Sequence, residues 1–262
     1  MISIDQIRAF YPASISGNTH FDKHLLKEYM QLSIMDFLSR TSYVKYLAFI
    51  GGTCLRMAFH INRFSEDLDF DCKNMSEDDF MRMTDAVVKF LQNMGYRVET
   101  RDKPNPHLNA FRRNLFFPEL LFDVNLSGHR EERFLIKVEA QDQGIPYQTE
   151  SRKLQGCGYL FMFPTPPVSI LCAMKVAAFL TRAKGRDIYD LMFLLSLTMP
   201  DYDFLQKKGF QIHNLDELKR ALLNQVTSID LAIKQKDFSH LLLMPEESRR
   251  ILDFPLVVES LI

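Results

Sequence analysis

Three carboxylates at alternate positions, Asp67, Asp69 and Asp71, follow a paired glycine in the stretch IGGTCLRMAFHINRFSEDLDFD, residues 50 to 71. With Leu68, Phe70 and Cys72 between and beyond them, the pattern is that of a half-buried strand whose other face carries acid. One Asp on a solvated strand face signifies nothing. Three like charges at this pitch repel each other unless they are well solvated or share a cation. Carboxylate oxygens suit Mg²⁺ (or Mn²⁺), and Mg²⁺ takes oxygen ligands at about 2.1 Å. Asp67 and Asp69, nearer the glycines, are the expected catalytic carboxylates and metal ligands. Asp71, one step further out, reads as a solvated residue or as a support for the ligands.

The glycines supply the other half of a site. Gly51 and Gly52 allow close backbone approach and Thr53 leads into a helix, which presents N–H groups and a positive dipole end to a phosphate. The plainer reading is a turn of the chain. Neither the Walker pattern G-x-x-x-x-G-K-S/T nor the dinucleotide fingerprint G-x-G-x-x-G is present. A short phosphate loop followed by paired carboxylates describes metal-assisted nucleotidyl transfer: the pair fixes metals that hold a triphosphate and lower the pKa of an acceptor hydroxyl. Such a site wants a third carboxylate on a neighbouring strand. Glu139 in IKVEA shares a face with Lys137, away from Ile136 and Val138, and is narrowly preferred as catalytic residue and metal ligand. Asp123 in LLFDVNL, read as a strand residue between Phe122 and Val124, is the competitor. Either also suits an ordinary exposed sheet face.

A second constellation lies in MKVAAFLTRAKGRDIYDL, which holds Lys175, Arg182, Lys184, Arg186, Asp187 and Asp190. Lys175 sits in an otherwise apolar helix, so its ammonium must snorkel out or face a cleft. Aimed at the β- and γ-phosphates, it would stabilise charge in the transition state. The structural alternative is that Asp187 and Asp190 pair with Arg182, Lys184 or Arg186 and lock two helices. The i,i+4 spacing of Arg186 and Asp190 suits either.

These residues need elements to hold them. The spacing predicts an amphipathic helix over 22–39, a short apolar run over 43–50, a helix over 53–61 and the acidic strand. Ser76 and Asp79 resemble a capping box that opens a helix running to Asn93 and stopping at Gly95. YRVET reads as a strand, and residues 98 to 140 as mostly sheet, with Pro104 and Pro106 keeping their neighbourhood irregular. After about residue 166 the pattern becomes helical, including 214–227, 228–235 and 244–252. The expected architecture is therefore α/β (α+β), a mixed sheet flanked by helices over 1–165 and a helical part over 166–262, with the site between them.

Composition adds bounds. A chain of 262 residues with 47% hydrophobic content buries about 70–75% of its unfolded surface, so no metal or disulfide staple is required. The formal charge of -1 argues against an obligate polyanion binder but not against local patches such as Arg97, Arg101, Lys103, Arg112 and Arg113. Cys54, Cys72, Cys157 and Cys172 form no C-x-x-C pair, and the N-terminus lacks a signal pattern, so reduced thiols and a cytoplasmic location are expected. No run approaches 18 uncharged apolar residues, so no membrane span is expected.

In order, GGTCLR, RFSEDLDFD, IKVEA and KVAAFLTRAKGRDIYDL resemble the AbiEii/AbiGii toxin family of nucleotidyltransferase-like proteins, within the DNA polymerase beta-like superfamily, over roughly residues 45 to 195. The resemblance implies that Gly52 and Thr53 correspond to a glycine–serine phosphate loop, Thr keeping the hydroxyl. It implies metal ligation by Asp67 and Asp69, nucleotide binding by Lys175, and a catalytic or structural role for Asp187. Gly51, Arg56, Ser65 and Arg186 complete the expected nucleotide contacts. The activity implied is transfer of a nucleotide from an NTP to an acceptor, with tRNA or another RNA as candidate, by a bacterial toxin with a separately encoded antitoxin.

Two other classes compete. A phosphotransferase is suggested by GRDIYD, which distantly resembles a kinase catalytic loop, but no later D-F-G follows; it would release NDP where nucleotidyl transfer releases pyrophosphate. An inactive nucleotide-binding scaffold is disfavoured by the intact Asp67, Asp69 and Lys175. A zinc hydrolase is less favoured still, because the seven His form no H-E-x-x-H, and His60, His107 and His129 are scattered.

Overall fold

The computed structural model describes residues 2–100 and 110–262, and the chain divides into two compact units. The first comprises Met1–His60, Phe64–Gly144 and Thr149–Thr165; the second comprises Ile61–Arg63, Ile145–Gln148 and Pro166–Ile262. The first is a mixed sheet with helices and the second is helical, as the pattern along the chain predicts.

In the first unit the strands are β1 (Leu47–Ile50), β2 (Asp67–Cys72), β3 (Glu99–Thr100), β4 (Phe111–Phe116) and β5 (Leu135–Gln141). They form one sheet in the order β1-β2-β5-β4-β3, with β2 and β5 parallel and the other pairs antiparallel. A separate hairpin, β6 (Glu150–Gly156) and β7 (Tyr159–Thr165), has no counterpart in the sequence reading. Its two-residue turn is Cys157–Gly158, both at positive φ, 47° and 81°, as tight hairpin turns of the primed type require. Phe49 of β1, Phe70 of β2 and Phe163 of β7 meet with ring centroids 5.7 to 6.0 Å apart. The abundant phenylalanines serve packing here.

The helices of this unit are α1 (Ile4–Arg8), α2 (Ala13–Ser16), α3 (Asp22–Ser39), α4 (Gly51–Phe59), α5 (Glu77–Asn93) and α6 (Leu120–Asp123). Helix α5 starts at Ser76, whose hydroxyl accepts from the Asp79 N–H at 3.1 Å, and ends before Gly95 at φ +89°. Helix α3 departs from the amphipathic expectation because it is buried on nearly every side, polar residues included. Those polar groups are satisfied: Glu28 by Arg56 and Tyr11, Asp22 by Arg8, and Ser33 by Tyr159. The sheet expected over most of 98–140 is also interrupted. Pro118 lacks an N–H, Glu119 turns left-handed at φ +58°, and residues 120–123 become helical. Asp123 is therefore not a strand residue. Pro104, Pro106 and His107 lie outside the described residues.

The second unit contains α7 (Val168–Arg182), α8 (Gly185–Leu195), α9 (Tyr202–Lys207), α10 (Leu215–Thr227), α11 (Leu231–Lys236) and α12 (Phe254–Glu259). A 3-10 segment covers Pro245–Asp253. Ala183 at φ +45° caps α7, and Gly185 then starts α8. A side chain on Gly185 would lie 2.0 Å from the Lys234 carbonyl, so α8 and α11 approach closely there.

Candidate active site

The turn from β1 into α4 is where the sequence places its phosphate loop. Ile50, the residue before the helix, has no side-chain oxygen to cap it. Gly51 follows at φ +77°, a left-handed conformation that favours glycine. A methyl group there would sit 2.4 Å from Asp69 Oδ2 and 3.0 Å from its Cβ. Asp69 lies opposite Ile50 in the β1–β2 register, which brings it to the mouth of the turn. The Thr53 hydroxyl is buried and donates to the Asp67 backbone carbonyl, tying α4 to β2. Arg56 forms a bidentate pair with Glu28 of α3, at 2.7 and 3.2 Å, and the Ser65 carbonyl accepts from Gln31 at 3.3 Å.

The period-two reading of the acidic face holds at Asp67, Asp69 and Glu139. The parallel register sets Asp67 against Lys137 and Asp69 against Glu139, while Ile136, Val138 and Ala140 are buried. Lys137 Nζ lies 2.9 Å from Asp67 Oδ2, and Arg112 of β4 bonds Glu139. Asp71 is not solvated: it is 1% exposed and accepts from the Gln143 N–H at 2.9 Å. Its strand end is covered by the chain leaving β5. Asp123 faces Arg97 at 2.8 Å, away from the role of third carboxylate that a strand position would have given it. The basic patch drawn from sequence is likewise committed: Arg97 pairs with Glu119 and Asp123, Arg112 with Glu139, and Arg113 with Asp85. Arg101 and Lys103 lie outside the described residues.

The second constellation is an ion cluster inside the helical unit. Arg63 donates through Nε and Nη2 to the two oxygens of Asp190, at 2.6 and 2.7 Å. Lys175 Nζ is 2.7 Å from Asp190 Oδ2 and 3.7 Å from Asp187 Oδ1. Arg182 grips both oxygens of Asp187 at 2.8 Å. Burial pushes the Asp190 carboxyl up, but Arg63 and Lys175 outweigh it and hold the group at about 2. Asp187 is also held below the usual range: burial raises it, and Arg182 with Lys175 prevails. Arg186 is half-buried and makes no ion pair among the described residues; Asp190 instead takes Arg63, a residue the sequence gives no reason to choose.

Among the described residues, no three His, Cys, Asp or Glu side chains converge as metal ligands, and no helix is long and apolar enough to cross a membrane. The four cysteines are free and buried; burial pushes the Cys157 and Cys172 thiols up to about 12.

A mixed sheet entered through a glycine turn, acidic on one face and followed in sequence by a helical unit, is a nucleotidyltransferase-like architecture. The chain belongs to the AbiEii family, the nucleotidyl transferase toxins of type IV toxin–antitoxin systems, whose family model matches residues 34–250. Similar solved structures include JHP933 from Helicobacter pylori, at 18% identity over 91% of each chain with a TM-score of 0.55. Another is MenT4, the nucleotidyltransferase toxin Rv2826c from Mycobacterium tuberculosis H37Rv, at 17% identity over 98% of this chain and 99% of that one, with a TM-score of 0.57. At such identities the likeness is one of fold. No curated protein sequence matches the chain.

Proposed function

We propose that the protein is a Mg²⁺- or Mn²⁺-dependent nucleotidyltransferase that moves a nucleotide from an NTP onto an RNA acceptor, tRNA first among the candidates. We propose further that it acts as a toxin held in check by a separately encoded antitoxin. The observation that carries the catalytic reading is the contact of Gly51 with Asp69. A plain turn asks for the positive φ alone. Here the missing side chain is required as well, because a carboxylate occupies its place.

The donors are of the kind the ion takes, although they do not converge here as three ligands. Asp67, Asp69 and Glu139 offer oxygen only, from alternate positions of β2 and the position of β5 that faces Asp69, and Mg²⁺ characteristically uses one or two carboxylates together with substrate phosphates. When bound, the ion supplies charge neutralisation for a triphosphate and lowers the pKa of an acceptor hydroxyl. The chain does the rest. Gly51 and Gly52 let phosphate approach the backbone at the start of α4. Thr53 and Arg56 fix that helix to β2 and α3, so the loop and the carboxylates keep their geometry. Lys175 and Arg186 are assigned to nucleotide phosphate charge, and Asp187 to orienting Lys175.

The test is incubation of the purified protein with each α-³²P-labelled NTP, Mg²⁺ and total tRNA, beside an Asp67→Ala/Asp69→Ala control. Label entering RNA only with the intact pair is the expected result, and it identifies the nucleotide. Label in the protein itself would replace the RNA acceptor with a protein. Release of NDP instead of pyrophosphate would replace nucleotidyl transfer with phosphotransfer.

A further inference from the structure

The acidic sheet face carries its own counter-ions. Lys137 precedes Glu139 by two residues on β5, so both side chains leave the same face, and the register brings Lys137 opposite Asp67. Its ammonium lies 2.9 Å from Asp67 Oδ2 and 3.9 Å from Glu139 Oε1. Arg112, opposite Glu139 in the antiparallel β4–β5 register, bonds that same oxygen. Charge therefore alternates across three strands: Asp67, Lys137, Glu139, Arg112. Core packing does not demand this, since the buried side of β5 is made by Ile136, Val138 and Ala140. Ion pairs as exposed as these, with 28% of the Lys137 side chain and 25% of the Asp67 side chain accessible, add little to stability.

We propose that Lys137 is an exchangeable counter-ion. It neutralises Asp67 and Glu139 while nucleotide is absent, yields them to a divalent cation, and then sets its ammonium against a triphosphate oxygen. The proposal rests on the nucleotidyltransferase reading of this face. An ammonium seated on these carboxylates repels a divalent cation that binds the same groups, so each occupant weakens the binding of the other. Cation affinity in the nucleotide-free protein is therefore set by this competition. Lysine suits the exchange. Its charge is a point at the end of a flexible four-carbon stem, whereas the planar fork of Arg112 is tied to one geometry. Removal of Lys137 should thus move two affinities in opposite directions.

The experiment compares wild type, Lys137→Met and Lys137→Gln in two titrations: Mn²⁺ alone, followed by electron paramagnetic resonance, and inorganic triphosphate with saturating Mg²⁺, followed by calorimetry. Both variants should bind Mn²⁺ about tenfold more tightly and triphosphate about tenfold more weakly, a size suited to one partly exposed charge. A mere structural lesion would weaken both. Mn²⁺ affinity that is unchanged or lower in the two variants overturns the proposal, as does unchanged triphosphate affinity. Asp67→Asn must abolish the tightening, or the cation is binding elsewhere and the proposal falls. Neither titration needs turnover. Opposite shifts without nucleotide transfer would leave the counter-ion exchange standing and remove the enzymatic reading; transfer without the shifts would do the reverse.

Discussion

The molecule contains two ladders of alternating charge, and they differ in access to water. In the helical unit, Arg63, Asp187 and Asp190 are at most 1% exposed, and each carboxylate is gripped by a bidentate arginine and approached by Lys175. On the sheet face, Asp67, Lys137, Glu139 and Arg112 keep between 23% and 37% of their side chains in solvent. Burial makes the first set obligatory, since a desolvated charge left without a partner is costly. Exposure makes the second set replaceable, since water and ions compensate any pair that opens. The same residue types thus make a fixed cluster in one place and one that can open in the other. Lys175, assigned above to phosphate charge, approaches both carboxylates and keeps 12% of its side chain accessible, against 0% for Asp187 and Asp190.

The sharpest way to break this contrast is Arg63→Met. Removing the guanidinium leaves Asp190 buried with Lys175 as its remaining cation, which should destabilise the protein by about 3–5 kcal/mol. Urea unfolding of the purified variant measures it. A loss under about 1 kcal/mol would mean that the cluster is wetter than its burial suggests, and the two ladders would no longer differ in kind.

Gly51→Ala is expected to cost less, roughly 1–3 kcal/mol for a side chain forced to positive φ. Its added methyl meets the movable Asp69 Oδ2 but also the Asp69 Cβ, so rotation of the carboxylate alone does not relieve it. Nucleotide transfer should fall further than stability does, because the displaced group is a catalytic candidate. Thermal unfolding and the labelled-NTP assay on one preparation separate the two effects. Equal losses would make Gly51 a turn residue and nothing more.

How far the sequence reveals these features depends on how local their causes are. The acidic face of β2 follows from period two alone, and the start of α5 from Ser76 and its N–H partner at Asp79. Glu139 joins Asp69 because both strands keep their alternation through a parallel register. By contrast, Arg63 sits between Asn62 and Phe64 with nothing to mark it, and its partner Asp190 is 127 residues away. The burial of Glu28 in α3 depends on Arg56 and Tyr11, from other segments, so helical spacing alone reads α3 as amphipathic. Asp123 fails for a local reason that competes with its apolar neighbours: Pro118 and the left-handed Glu119 end the strand pattern before it. The β6–β7 hairpin turns on Cys157–Gly158 without the Asn-Gly or Asp-Gly pair that advertises such turns.

The smallest stability effect should come from Asp67→Asn, and it is the most discriminating. The side chain is 25% exposed and its pair with Lys137 is a single contact at 2.9 Å, so its loss should cost no more than about 1 kcal/mol. Reduced repulsion from Asp69, next on the same face, works in the opposite direction. Transfer activity should nevertheless fall by about 100-fold or more, the range in which removal of an essential charge acts on a transition state. Unfolding curves for wild type and variant should therefore nearly superimpose while their rates separate. A variant that unfolds several kcal/mol earlier would make Asp67 a structural ion like Asp190. One that is both stable and fully active would remove Asp67 from the proposed metal set, leaving Asp69 and Glu139, opposed in register across β2 and β5, as the pair to test next.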